Sequence, residues 1–134
     1  MADPLTVLVI DDNVNLARGF AIALERAGYR VDLAHTADEG LFIARQVRPN
    51  AIVLDFRMPF INGLGYLYRL REVPGLCETP VMVVTAAEID DETRRELAEL
   101  RATIRFKPIG LSELITEVEA MLKGSDPAQA SGTG

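Results

Sequence analysis

The stretch Ala51-Ile-Val-Leu-Asp-Phe-Arg-Met-Pro59 sets four apolar residues directly against an aspartate, Asp55. A run so uniformly apolar suits a strand covered on both faces, as in a parallel sheet. Its end on a carboxylate is either a solvated cap or a group held out for chemistry. The rest of the chain decides between the two.

The same kind of run recurs. Thr6–Ile10 (TVLVI) and Val81–Thr85 (VMVVT) are nearly all apolar, like Ala51–Leu54 (AIVL). Arg30–Ala34 (RVDLA) and Ala102–Phe106 (ATIRF) carry Arg30, Asp32 and Arg105, as edge strands do. Between these runs the apolar residues keep helical spacing. Leu16, Phe20, Ala23, Leu24 and Ala27 mark a first helix, with Gly28 as its stop. Thr36 and Glu39 form a capping-box start for a second, whose stripe is Leu41, Ala44 and Val47. Leu64, Leu67 and Leu70 mark a third. Asp90–Leu100 is the thinnest, rich in charge, with Leu97, Ala98 and Leu100 left to face a core. Leu111, Leu114, Ile115, Val118, Met121 and Leu122 mark the last, with Ser112 as its cap.

The predicted fold is therefore α/β, a (βα)5 chain. With a helix-length crossover between every pair of strands, the sheet should be parallel with right-handed connections. The common five-strand doubly wound order is 2-1-3-4-5, the flavodoxin-like arrangement, with ligands beyond the carboxyl ends of the first and third strands. At that edge the sequence places Asp11 and Asp12 after the first strand, Asp55 after the third, Thr85 after the fourth and Lys107-Pro108 after the fifth. Solvated caps have no reason to converge. Clustered carboxylates repel, and a hard divalent cation relieves the repulsion. Carboxylate, metal, hydroxyl and ammonium together suit phosphoryl transfer. The competing reading makes Asp11 and Asp12 a cap for the first helix.

Bulk properties narrow the classes. At 134 residues the chain suits one domain. Its net charge of -6 leaves no basic stripe for nucleic acid. One cysteine, Cys77, and one histidine, His35, make neither an internal disulfide nor a zinc set, and His35 reads as a surface or strand-end residue. The apolar run Leu5–Ile10 is too short for a signal or a membrane span, so a soluble cytoplasmic protein is expected. Residues 124–134 (GSDPAQASGTG) read as a flexible polar tail.

Four segments carry a family resemblance: VIDDN (Val9–Asn13), LDFRMPFINGLG (Leu54–Gly65), VVTA (Val83–Ala86) and FKP (Phe106–Pro108). Together, in this order, they resemble the receiver domain of two-component response regulators, over roughly residues 5–123 and with the domain taken as 1–123. The resemblance implies that Asp55 accepts a phosphoryl group. It implies a Mg²⁺ ion, or Mn²⁺, held by Asp11, Asp12, Asp55 and the main-chain carbonyl of Arg57. Thr85 and Lys107 would bind phosphoryl oxygens, the Lys107–Pro108 peptide would be cis, and Gly63 would free the loop to turn. The implied partners are a histidine kinase or histidine phosphotransfer protein and a downstream protein, met through the fourth helix, fifth strand and fifth helix. Nucleic acid and membrane are not expected partners, and the chain would be a monomer or weak homodimer. Such a protein is a signalling switch, not an enzyme, and catalyses only its own phosphorylation and dephosphorylation.

The sequence departs from the family at Ile104, where Tyr or Phe usually couples to the threonine; Phe106 lies two residues on, and Ile109 follows Pro108. The expectation is that output relies on the loop after Thr85 and the thin fourth helix. A receiver-shaped binding module that never uses phosphate is the alternative. A haloacid-dehalogenase-type phosphatase would want aspartate at Arg57, and a flavodoxin would want a hydroxyl- and glycine-rich loop where Asp11-Asp12-Asn13 stands. Tyr66 and Tyr68 face different ways, at least one of them into packing, and the acid-rich stretch Glu88–Glu96 reads as a solvated face.

Overall fold

The computed structural model describes residues 3–86 and 88–124. The polar tail expected from Gly124 lies outside the described residues, Gly124 itself excepted. The elements alternate: β1 (Thr6–Ile10), α1 (Val14–Arg26), β2 (Arg30–Ala34), α2 (Ala37–Val47), β3 (Ala51–Asp55), α3 (Gly63–Arg71), β4 (Val81–Thr85), α4 (Asp91–Glu99), β5 (Ala102–Phe106) and α5 (Leu111–Leu122). All neighbouring strands run parallel, in the order β2-β1-β3-β4-β5. The fold class and strand order are those expected from the apolar runs. The charged strands β2 and β5 are indeed the edges, while β3 and β4 are buried along their whole length.

Alternation along the strands divides the core. Leu8, Ile10, Ile52, Leu54, Val81 and Val83 pack against Leu41 and Ala44 of α2, Tyr66, Leu67 and Leu70 of α3 and Leu97 of α4. Val7, Val9, Val53, Met82 and Val84 face the other way, onto Ala17, Phe20 and Leu24 of α1 and Leu114 and Val118 of α5. Each fully buried Leu, Val or Phe contributes about 1.5–3 kcal/mol of transfer free energy. α4 draws least on this source, because Leu97 is its one buried residue.

The helix starts show what the chain's polar residues do. Asn13 caps α1, its side chain accepting from Leu16 N at 3.1 Å. The capping role is thus filled by the residue after Asp11 and Asp12. Asn62 caps α3 and Asp90 caps α4 in the same manner. Thr36 caps α2 by accepting from Glu39 N at 3.1 Å, but the Glu39 carboxylate reaches one residue further back than a capping box requires and accepts from His35 N at 2.6 Å. α5 corrects the sequence reading. Its N-cap is Gly110, with no side-chain cap bond, and Ser112 lies inside the first turn, where its carbonyl accepts from Thr116 Oγ1 at 3.0 Å. The chain leaving Pro108 reaches helical geometry at Leu111, two residues too early for Ser112 to cap it.

Gly63 is favoured by closeness, not by a left-handed turn. Its N–H donates to Phe56 O at 2.8 Å, and a Cβ there would lie 3.1 Å from Phe56 Cα. The left-handed residues of the chain include Phe60, at φ 71, in the loop between Asp55 and α3.

Candidate functional site

The carboxyl ends of β1, β3, β4 and β5 meet at one edge. Asp11 directly follows β1. Its N–H donates to Ala34 O at 3.0 Å and so continues the pairing of β1 with β2. Its Oδ1 accepts from Asn13 N at 2.9 Å, which folds the chain back into α1. Asp55 is the last residue of β3 and is only 7% exposed, while Asp12 stands in solvent. Asp11, Asp12 and Asp55 each bring a carboxylate oxygen within 4.8 Å of the other two. The Lys107 ammonium lies between two of them, donating to Asp11 Oδ2 at 3.2 Å and to Asp55 Oδ1 at 3.3 Å.

The electrostatics follow from that placement. The pKa of Asp55 is raised from 3.8 to about 6. Burial is the largest cause, and the negative charge of Asp11 adds to it. Lys107 opposes both, and Asp12 contributes a smaller upward push. One ammonium therefore does not balance three carboxylates, and the site has an excess of negative charge around the two buried members, Asp11 and Asp55.

Thr85 ends β4, fully buried, and its carbonyl accepts from Lys107 N at 2.8 Å. This bond ties the lysine's backbone to the end of the central sheet. The Lys107–Pro108 peptide is cis, as expected. Arg57 sits two residues after Asp55 with its side chain exposed. The structure thus brings Asp11, Asp12, Asp55 and Lys107 into mutual reach and sets Thr85 beside the backbone of Lys107. A hollow of about 340 Å³ opens next to the lysine, between Leu16, Phe20, Ala86, Pro108 and Ile109. The larger groove, about 530 Å³, runs between α2 and α3 and touches none of these carboxylates.

Two neighbours were not legible as part of this region. His35 directly follows β2, half-buried, with Nδ1 3.0 Å from the Asp11 carbonyl oxygen. Arg94 of α4 stacks over Phe106 at 5.3 Å from the ring centroid, and its Nε donates to Ile89 O at 3.2 Å. Phe106 is 45% exposed and pairs in register with Thr85. Ile104, the aliphatic residue where the resemblance expects an aromatic, packs against the core on the α2–α3–α4 side. Of the two tyrosines, Tyr66 is buried and donates to Gly40 O at 3.1 Å, its burial raising its pKa above the ordinary tyrosine value. Tyr68 is exposed and donates to Glu96 Oε2 at 2.6 Å, joining α3 to α4.

Comparison with known proteins agrees with this fold. The chain is 33% identical over 121 residues to the "Probable transcriptional regulatory protein TcrX" of Mycobacterium tuberculosis, covering 90% of this chain and 50% of that protein. It is 31% identical to the response regulator MprA of Mycolicibacterium vanbaalenii, covering 96% of this chain and 55% of that one. The chain thus spans about half the length of the curated relatives it matches. Among solved structures, the Vibrio cholerae chemotaxis protein CheY4 superposes with a TM-score of 0.82 at 27% identity, covering 89% of this chain and 99% of that one. Residues 7–119 match the response regulator receiver domain, and the chain belongs to that family.

Proposed function

We propose that this chain is a phospho-acceptor receiver of a two-component system, with Asp55 as the acceptor. The observation that carries the reading is the raised, nearly buried Asp55 carboxylate, held within one ligand sphere of Asp11 and Asp12 and touched by Lys107. Receiver domains are signalling switches, and the acidic edge is where such a switch would be set.

The donor set fits a hard divalent cation. Three carboxylates against one ammonium leave two negative charges, all on oxygen, and one carboxylate faces solvent where water ligands have room. Asp11, Asp12, Asp55 and the main-chain carbonyl of Arg57 would hold Mg²⁺ or Mn²⁺. Bound there, the ion supplies positive charge to phosphoryl oxygens and relieves the repulsion around Asp55.

The chain's own groups then have defined tasks. An Asp55 carboxylate oxygen attacks phosphorus as the P–N bond of a phosphohistidine breaks. The bonding pair leaves with the ring nitrogen, and the imidazole departs neutral when its other nitrogen carries a proton. The product is an acyl phosphate on Asp55. The Lys107 ammonium, already 3.3 Å from Asp55 Oδ1, offsets the charge on an equatorial oxygen. Thr85, at the adjacent strand end, supplies a hydroxyl to the same group. The donor is a histidine kinase or histidine phosphotransfer protein, and the setting is the cytoplasm. No helix among the described residues is long and apolar enough to cross a membrane.

Output passes by protein contact through the face of α4, β5 and α5. The thin anchoring of α4 by Leu97 supports this, as does the Arg94–Phe106 stack that ties α4 to the strand residue paired with Thr85. The receiver unit comprises residues 1–123, as a monomer or weak homodimer. The alternative, a module that binds partners without phosphate, takes support from Ile104.

Intact-mass spectrometry separates the two. Wild type incubated with Mg²⁺ and acetyl phosphate is expected to gain one phosphoryl group. Asp55→Asn and a chelated control are expected to gain none. No gain in wild type, with Mg²⁺ binding verified, establishes the phosphate-independent module instead.

A further inference from the structure

We propose that His35 is a positioning residue of the acidic site: its imidazole fixes the Asp11–Asp12 peptide and thereby aims the Asp12 carboxylate. The proposal rests on the reading of Asp11 and Asp12 as cation ligands. It adds to that reading a residue outside the acidic triad, directly after the edge strand β2.

The geometry is specific. His35 Nδ1 lies 3.0 Å from the Asp11 carbonyl oxygen. A carbonyl accepts only, so the imidazole carries its hydrogen on Nδ1 and donates. The Asp11 carbonyl and the Asp12 N–H belong to one rigid peptide plane. A donor on the oxygen sets the tilt of that plane, and the tilt sets where the Asp12 side chain begins. The other polar groups of Asp11 are held elsewhere: its N–H by Ala34 O, Oδ1 by Asn13 N and Oδ2 by Lys107. Those contacts fix the Asp11 carboxylate, and the His35 contact fixes the step to Asp12. Because Asp12 is exposed, burial does little to orient it, and the peptide must do so.

His35 is itself anchored. Its N–H donates to Glu39 Oε1 at 2.6 Å, and Glu39 N donates to the Thr36 hydroxyl that caps α2. The displaced capping carboxylate therefore has a consequence. It braces the residue that braces the site, so the first turn of α2 bears on the Asp11–Asp12 peptide through a half-buried imidazole. Outer contacts that orient metal ligands typically change affinity by about 10–100-fold when removed.

The chemistry also names its own rescue. An asparagine amide nitrogen stands the same number of bonds from Cα as His Nδ1, whereas that of glutamine stands one bond further. Mg²⁺ affinity is measured calorimetrically on folded wild type, His35→Ala, His35→Asn, His35→Gln and Asp12→Asn, with thermal midpoints taken in parallel. His35→Ala and His35→Gln are expected to weaken Mg²⁺ binding by about tenfold, the low end for such contacts. His35→Asn is expected to stay within about threefold of wild type. If all three His35 variants lower the thermal midpoint while Mg²⁺ affinity stays as in wild type, His35 is structural only and the proposal is overturned. If the Asn and Gln variants bind alike, the Nδ1 donor is not the cause and the proposal likewise fails. Should His35→Ala not fold, the Asn–Gln contrast decides alone. Asp12→Asn guards the premise: wild-type Mg²⁺ binding in that variant removes the cation site itself, whereas lost binding there beside unaffected His35 variants removes only the role of His35.

Discussion

Replacing Asp55 with asparagine is expected to stabilise the metal-free fold at neutral pH, because the native carboxylate is ionised where ionisation is costly. Its pKa is about 6 in the fold against 3.8 for a free side chain. At about 1.4 kcal/mol per unit, that gap corresponds to about 3 kcal/mol. Asp12 beside it stands in solvent, so water screens part of the field, and about 2 kcal/mol is the reasonable expectation. The sign follows from proton binding. Between pH 3.8 and about 6 the folded state holds more protons than the unfolded state, so stability falls as pH rises through that window and is level above it. Asparagine carries no such charge. The variant should match wild type near pH 4, exceed it by about half the full difference at pH 5, and by all of it at pH 8.

Urea unfolding followed by far-ultraviolet circular dichroism suits the measurement, since the chain has no tryptophan to report by fluorescence. With a chelator present at pH 8, a gain of about 2 kcal/mol moves the urea midpoint of a small domain by about 1 M at constant slope. Mg²⁺ should then erase the difference. At a hundredfold excess over Kd it stabilises the binding-competent protein by about 2.7 kcal/mol, and the variant lacks one carboxylate of the proposed ligand set. Equal midpoints at pH 8 without metal, or a gap that is the same at pH 5 and pH 8, would refute the electrostatic account of this site.

Phe60 is fully exposed at φ 71, so Phe60→Gly relieves left-handed strain without losing burial and should raise stability by about 1 kcal/mol in the same urea assay; a fall would show that the ring has packing partners. Leu97→Ala removes the one buried side chain of α4 and should cost about 2–5 kcal/mol, with hydrogen exchange rising first across residues 91–99; uniform exchange across the domain would contradict a weakly held helix. Arg94→Gln removes a cation–π contact worth about 0.5–1 kcal/mol, leaving the fold nearly as stable. It should shrink the exchange difference that a phosphoryl mimic such as beryllofluoride produces in residues 88–100, and an undiminished difference would place the coupling elsewhere.

The strands and their order were readable because a parallel strand buried on both faces has no polar alternation to confuse with a helix stripe, and because Arg30, Asp32 and Arg105 mark the two edges. The helix starts were harder. Thr36 was visible as a cap because its hydroxyl stands three residues before Glu39. The start of α5 was not, since Gly110 has no side chain to announce a cap and Ser112 imitates one. Gly63 was picked out by the resemblance as a glycine that frees the loop, but its φ is not positive, and what favours glycine there is the 3.1 Å approach to Phe56 Cα, which only the folded loop reveals.

The acidic edge was legible for a related reason: its members stand at strand ends, and topology alone brings strand ends together. His35 and Arg94 stand near strand and helix ends as well, yet each acts through a partner that topology does not name. His35 reaches the Asp11 carbonyl because the β1–β2 pairing of Ile10 with Ala34 puts the two following residues side by side. Arg94 reaches Phe106 because α4 packs against β5 and leaves that ring half in solvent. In both cases the sequence shows an ordinary polar residue in a polar stretch, and the register supplies the contact. The two contacts sit on opposite sides of the same charge cluster. One holds the residue beside Asp12, and the other holds the residue paired with Thr85. A change of charge at Asp55 would therefore be felt on one side by a peptide braced through α2 and on the other by a helix with a single buried residue, Leu97. Of these two, α4 has less to lose by moving, which is why the perturbation should emerge there.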